Sequence, residues 1–170
     1  MNASIQSSII VDGYLSDDPP CHNMAETIIV RECRHGQVRV QFGNIIRVEG
    51  DVMVIPANNR LAGREGLDEK MQLAAGEELR ARCTEIAVER RKEGKQPCGV
   101  GEAVTTPGFN LPAEHLVHVV GPDCRRPNQD NFRRELLANS YNAMFEEISK
   151  IKSRETLVTP PLGMDVFAYP

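Results

Sequence analysis

An α/β layer architecture with a mixed sheet is what this 170-residue chain predicts, on three observations. Short β-branched segments alternate with two longer stretches whose apolar residues recur at helical spacing. One segment, DVMVIPA at 51–57, is apolar almost throughout, as expected of a strand covered on both faces. It runs into a polar, glycine-bearing loop and then a helix, the kind of junction beyond a strand's carboxyl end where α/β sheets bind ligands.

Residues 1 to about 26 are polar and interrupted by Asp17, Asp18, Pro19 and Pro20, which predicts a tail despite the short SIIV run from Ser8 to Val11. The folded part is expected to begin near Thr27. TIIVREC and QVRVQFGNI have strand character, and a His35-Gly36 turn between them predicts an antiparallel hairpin. After the buried strand, a helix is expected from Asp68 to about Glu93. Leu67, Met71, Ala74 and Ala75, then Leu79, Cys83, Ile86 and Ala87, keep its period; Gly76 could interrupt it and Gly94 could stop it. GEAVTTPGF and HLVHVVGP read as two more strands, separated by a loop with Pro112. A second helix spans about Asn131 to Lys150, with Phe132, Leu136, Leu137, Tyr141, Met144, Phe145 and Ile148 on one face. TLVTPPLG is a final buried strand that enters GMDVFAYP.

Composition narrows the function classes. The length suits one domain with a sizeable core. The longest apolar runs, such as Leu116 to Val120, are too short to span a bilayer, so no membrane contact is expected and the compartment reads as cytosol, or nucleus. Cys21, Cys33, Cys83, Cys98 and Cys124 are odd in number and form no CxxC pair, which predicts reduced thiols rather than disulfides or structural zinc. A net charge of -4 argues against extended nucleic-acid binding. The basic clusters at Arg90 to Lys92, Arg125 to Arg126 and Lys150 to Lys152 read as solvated surface, His115 and His118 as edge or core histidines.

Four blocks, in order and at the right spacing, carry a family resemblance: GNIIRVEGDVMVIPANN, REGLDEKMQLAAG, CGVGEAVTTPGFNLPAEHLVHVVGP and PPLGMDVFAYP. From about residue 38 to 170 the chain resembles a macro domain, the ADP-ribose-binding module, of the ADP-ribosyl-protein hydrolase type. The resemblance implies a three-layer α/β/α sandwich around a mixed sheet, as a macro domain of residues 27–170. It also implies ADP-ribose or an ADP-ribosylated protein as partner, with no cofactor and no metal required. The family continues beyond the position of Pro170 with another helix and a last strand beside TLVTPPLG. That difference predicts a longer protein, or another segment of chain or a partner in the gap, with SIIV one candidate.

ADP-ribose needs a polar edge for its base, an N–H-rich cradle for its diphosphate and hydroxyl partners for its distal ribose. By resemblance, Asn44 with Ile45 would meet the adenine, an amide oxygen replacing the family's aspartate. Ala57, Asn58 and Asn59 end the strand, and the Asn58 carboxamide would reach the distal ribose. Asp68, ten residues on, falls on the family's catalytic or water-positioning aspartate; without the resemblance it would read as a helix N-cap. Gly63, Gly66 and Leu67, with Gly163, Met164, Asp165, Val166 and Phe167, would hold the diphosphate, Phe167 packing beside the ribose. Lys70 reads as a helix-surface lysine.

Two departures from the family pattern bear on affinity. Arg64 and Glu65 stand between Gly63 and Gly66 where the family has consecutive glycines, and Asp165 replaces a glycine near the expected diphosphate. Two like charges about 4 Å apart at an effective dielectric of about 20 repel by roughly 4 kcal/mol, so Asp165 has to point away from a bound diphosphate. The function implied is hydrolysis of mono-ADP-ribose esters, on an acidic side chain or a small molecule. A non-catalytic ADP-ribose reader and a degenerate macro fold used for protein interaction are the alternatives.

Overall fold

The computed structural model describes residues 5–11, 26–125, 130–152, 154–164 and 166–168, with backbone only at 5–11 and 130–132. Among the described residues seven strands form one sheet: β1 (Ile5–Val11), β2 (Glu26–Cys33), β3 (Gly36–Phe42), β4 (Gly50–Ala57), β5 (Ala103–Pro107), β6 (Ala113–Val120) and β7 (Thr156–Thr159). Their order across the sheet is β2-β3-β1-β7-β4-β6-β5. Pairing is parallel through the middle and antiparallel at the two edges, β2 on β3 and β5 on β6.

β4 reads in the sequence as a doubly covered strand, and both of its faces are packed. Met53, Ile55 and Ala57 face one hydrophobic cluster with helices α1 (Gly66–Ala75) and α2 (Glu77–Lys92); Val52 and Val54 face the other, beneath α3 (Asp130–Lys150). This is the expected α/β/α sandwich. The helix expected from Asp68 to Glu93 is two helices, broken at Gly76. There φ is +93°, and a Cβ would sit 2.6 Å from Asn110 Nδ2, so the side chain of the 108–112 loop occupies the notch that only glycine leaves.

Three expectations need correction. The hairpin turn is Arg34–His35, with Cys33 opposite Gly36 in the ladder. Phe145 is not part of the α3 core face but is 55% exposed, whereas Met144 beside it is buried. Part of the stretch read as a polar tail is β1, which lies parallel to both β3 and β7 and fills the place beside β7. The polar sequence between β1 and β2, residues 12–25, lies outside the described residues.

Because β4, β6 and β7 run parallel, their carboxyl ends emerge on one side of the sheet. The chain leaves β4 for α1 and α2 on one face and leaves β6 for α3 on the other, so a crevice opens between these exits. Among the described residues no helix is long and apolar enough to cross a membrane.

Candidate functional site

At those carboxyl ends lies a half-open cleft, the kind of place where α/β sheets bind ligands. Pro56 and Asn58 line it from the end of β4, Glu65, Leu67 and Asp68 from the start of α1, and Pro161, Gly163, Val166 and Phe167 from the loop after β7.

Asp68 is its most perturbed group. It occupies the third position of α1 rather than the N-cap, which is Glu65, so the simple capping reading does not hold. Its carboxylate turns back beneath the end of β4 and is 5% exposed. Oδ2 accepts from the Asn58 backbone N–H at 3.3 Å and from Asn58 Nδ2 at 3.1 Å, while Oδ1 accepts from Gln72 Nε2 at 3.0 Å. Burial raises its pKa from 3.8 to about 6, against the opposing pull of Gln72, the Asn58 and Gly63 backbone N–H groups and the Asn58 amide. A carboxyl with a pKa near 6 is ionised at neutral pH yet basic enough to accept a proton.

Asn58 shapes the loop as well as touching the carboxylate. Its Oδ1 accepts from the N–H groups of Arg60 at 2.9 Å and Ala62 at 3.3 Å, an Asx-type turn that carries Leu61 into positive φ and buries its side chain. Gly63 closes the same loop against Gln72.

The sequence-predicted residues fall into two groups. Asn58, Leu67, Asp68, Gly163, Val166 and Phe167 are brought together at the cleft. Asn44 is exposed and caps the 3-10 turn at Ile45–Arg47, accepting from Ile46 N–H at 3.2 Å; Ile45 is in the core. Ala57 is buried in the sheet, Asn59 and Met164 are exposed, and Gly63 and Gly66 flank the cleft without lining it. Asp165 lies outside the described residues.

Sequence reasoning passed over Gln72 and Arg125. Gln72 stands four residues after Asp68, so helical spacing puts the two on one face. Arg125, read only as solvated surface, reaches Asp123, Glu65 and the ring of Phe167. No local pattern announces contacts between positions so far apart in the chain.

A mixed-sheet α/β sandwich with a buried carboxylate bordering a cleft at the carboxyl edge of its sheet describes a ligand-binding module of the α/β class. The chain belongs to the macro domain family, whose model matches residues 54–170. It is 32% identical over 166 residues to a protein-ADP-ribose hydrolase of Staphylococcus aureus, covering 95% of this chain and 60% of that protein. An O-acetyl-ADP-ribose deacetylase of Cronobacter turicensis is 33% identical over 135 residues, covering 79% of this chain and 72% of the other. Among solved structures, the Oceanobacillus iheyensis macrodomain with ADP superposes with a TM-score of 0.76 at 28% identity, covering 86% of this chain and 74% of that one.

Proposed function

We propose that this protein binds ADP-ribose and hydrolyses its esters, with Asp68 as the proton-accepting group. The observation that carries the reading is the constellation of half-buried Asn58 with buried Asp68 and Gln72, whose carboxylate, though its pKa is raised to about 6, is still ionised at neutral pH where it borders the cleft. Relatives named as a protein-ADP-ribose hydrolase and an O-acetyl-ADP-ribose deacetylase support the same chemistry. The functional unit on this reading is the macro domain of residues 27–170, with β1 as an added strand.

In the reaction, water adds to the ester carbonyl that joins an acyl group to the distal ribose. Asp68 takes one proton as the water oxygen attacks and returns it to the ribose oxygen as the C–O bond breaks, so that ADP-ribose and a carboxylic acid are released and the carboxylate is regenerated. General-base help of this kind is worth roughly 100- to 10,000-fold. Asn58 fixes the Asp68 carboxylate, and the second hydrogen of its Nδ2 is directed to the ribose. Phe167 packs beside that sugar, while the Gly63–Leu67 segment and the loop from Gly163 to Phe167, Met164, Asp165 and Val166 included, surround the diphosphate. Asn44 with Ile45 receives the adenine, with Ala57 and Asn59 bordering the ligand. No metal enters any step.

A non-catalytic reader is the second reading, favoured by one observation: Glu65, a carboxylate, lines the cleft where the family leaves bare backbone. Two measurements decide. Calorimetry with ADP-ribose tests binding; ADP-ribose release from a protein modified on acidic residues, by the wild type and by Asp68→Ala, tests turnover. Turnover that falls at least 100-fold in a variant that still binds ADP-ribose is the expected result. Binding without release by the wild type would leave the reader, and no binding at millimolar ligand would exclude both.

A further inference from the structure

Glu65 should repel an anionic ligand, yet it does not stand alone at the cleft. Arg125, in the loop after β6, docks one edge of its guanidinium on Asp123, with Nε 2.8 Å from Oδ1 and Nη2 2.7 Å from Oδ2. This two-point fork fixes the plane of the guanidinium and raises the Arg125 pKa further. The remaining corner, Nη1, points to Glu65 Oε1 at 3.7 Å, a loose pair between side chains that are 44% and 62% exposed. Beneath the guanidinium lies Phe167, its ring centroid 5.7 Å away, and the Cys124 backbone N–H donates to the Phe167 carbonyl at 2.8 Å. The loop after β6 is thereby tied to the loop after β7, and both Glu65 and Phe167 line the cleft.

We propose that Arg125 is a phosphate-binding residue at the mouth of this cleft. Its Nη1 corner neutralises Glu65 when the cleft is empty and exchanges that carboxylate for a phosphate oxygen of the ligand's diphosphate when one enters, the Glu65 side chain moving aside and the Asp123 fork staying in place. The inference rests on the ADP-ribose reading and adds to it the cation that makes Glu65, in place of a glycine, compatible with an anion. A 3.7 Å pair at an exposed rim is weak, and a phosphate accepts a stronger charge-assisted bond from the same nitrogen. Asp123 makes the exchange inexpensive, because the guanidinium need not be re-ordered.

The test is calorimetry of ADP-ribose binding to the whole chain at several salt concentrations, for the wild type, Arg125→Ala and Glu65→Gln. Arg125→Ala is expected to weaken binding roughly 10- to 100-fold, the range for a hydrogen bond to a charged group, and to flatten the salt dependence. Glu65→Gln is expected to tighten binding several-fold, since the competitor for Nη1 is gone. A merely structural strut across the mouth would make both substitutions weaken binding alike, and that result overturns the proposal. So does an Arg125→Ala protein that binds as well as the wild type. A wild type that does not bind ADP-ribose fails at the earlier step, before Arg125 is in question.

Discussion

The pKa of Asp68 is set by a contest between burial, which raises it, and four hydrogen-bond donations, of which that of Gln72 pulls hardest in the other direction. Gln72 is itself buried, its Nε2 shared between Asp68 at 3.0 Å and the Leu61 carbonyl at 3.4 Å. Removing the amide leaves the burial and takes away the strongest counterweight. Gln72→Leu is therefore expected to move the low-pH limb of the turnover profile upward from about 6, with turnover at pH 7 reduced several-fold and the alkaline plateau less affected. Steady-state rates from pH 5 to 9 check it; an unmoved limb would reduce Gln72 to packing. At this scale the sequence marked Asn58 and Asp68 through the family resemblance, but it passed over Gln72 although that residue lies one turn from Asp68. It was uninformative about Arg125, because only the sheet's parallel exits bring the distant Glu65 and Phe167 to the guanidinium that Asp123 holds locally.

Among the elements, the loop from Asn58 to Gly66 does the positioning. Gly63 sits at φ +53°, where a Cβ would fall 2.5 Å from Gln72 Cδ. A side chain there is strained twice, by the backbone conformation and by collision with the residue that holds Asp68. Gly63→Ala is expected to cost roughly 1–3 kcal/mol of stability and to reduce turnover, since Gln72 must swing away from the carboxylate. Urea denaturation and the release assay on the same preparation check both parts. Strand β4 and the two helices were legible because their burial pattern is local. β1 was legible only as one candidate, the SIIV run offered for the place beside TLVTPPLG, because a polar surround hides a strand whose partners, β3 and β7, are supplied by distant segments. Truncation of residues 1–11 would open β3 and β7 along the edges that β1 covers, so a lower melting temperature and a greater tendency to aggregate are expected, read by thermal scans and light scattering.

For the whole molecule, two buried titratable groups oppose each other across the mildly acidic range. Asp68 has a folded pKa of about 6 against an ordinary 3.8, so on acidification the folded state takes its proton first and gains stability, from about pH 6 down to about 4. His118, fully buried in β6 with Nε2 3.0 Å from Thr106 Oγ1, is pushed the other way, from 6.5 to about 4, by desolvation. The unfolded chain then takes the histidine proton first, and stability is lost as pH falls from about 6.5 to about 4. The two shifts act in opposite directions, so in the wild type the two contributions offset one another. Removing either group should expose the other. Relative to the wild type, His118→Leu is expected to become more stable as pH falls from 7 to 4.5, and Asp68→Ala less stable. Urea midpoints at both pH values for the three proteins measure this directly, because every other titrating group cancels in the difference. Two variants that track the wild type at both pH values would mean that neither group titrates differently in the folded and unfolded chains.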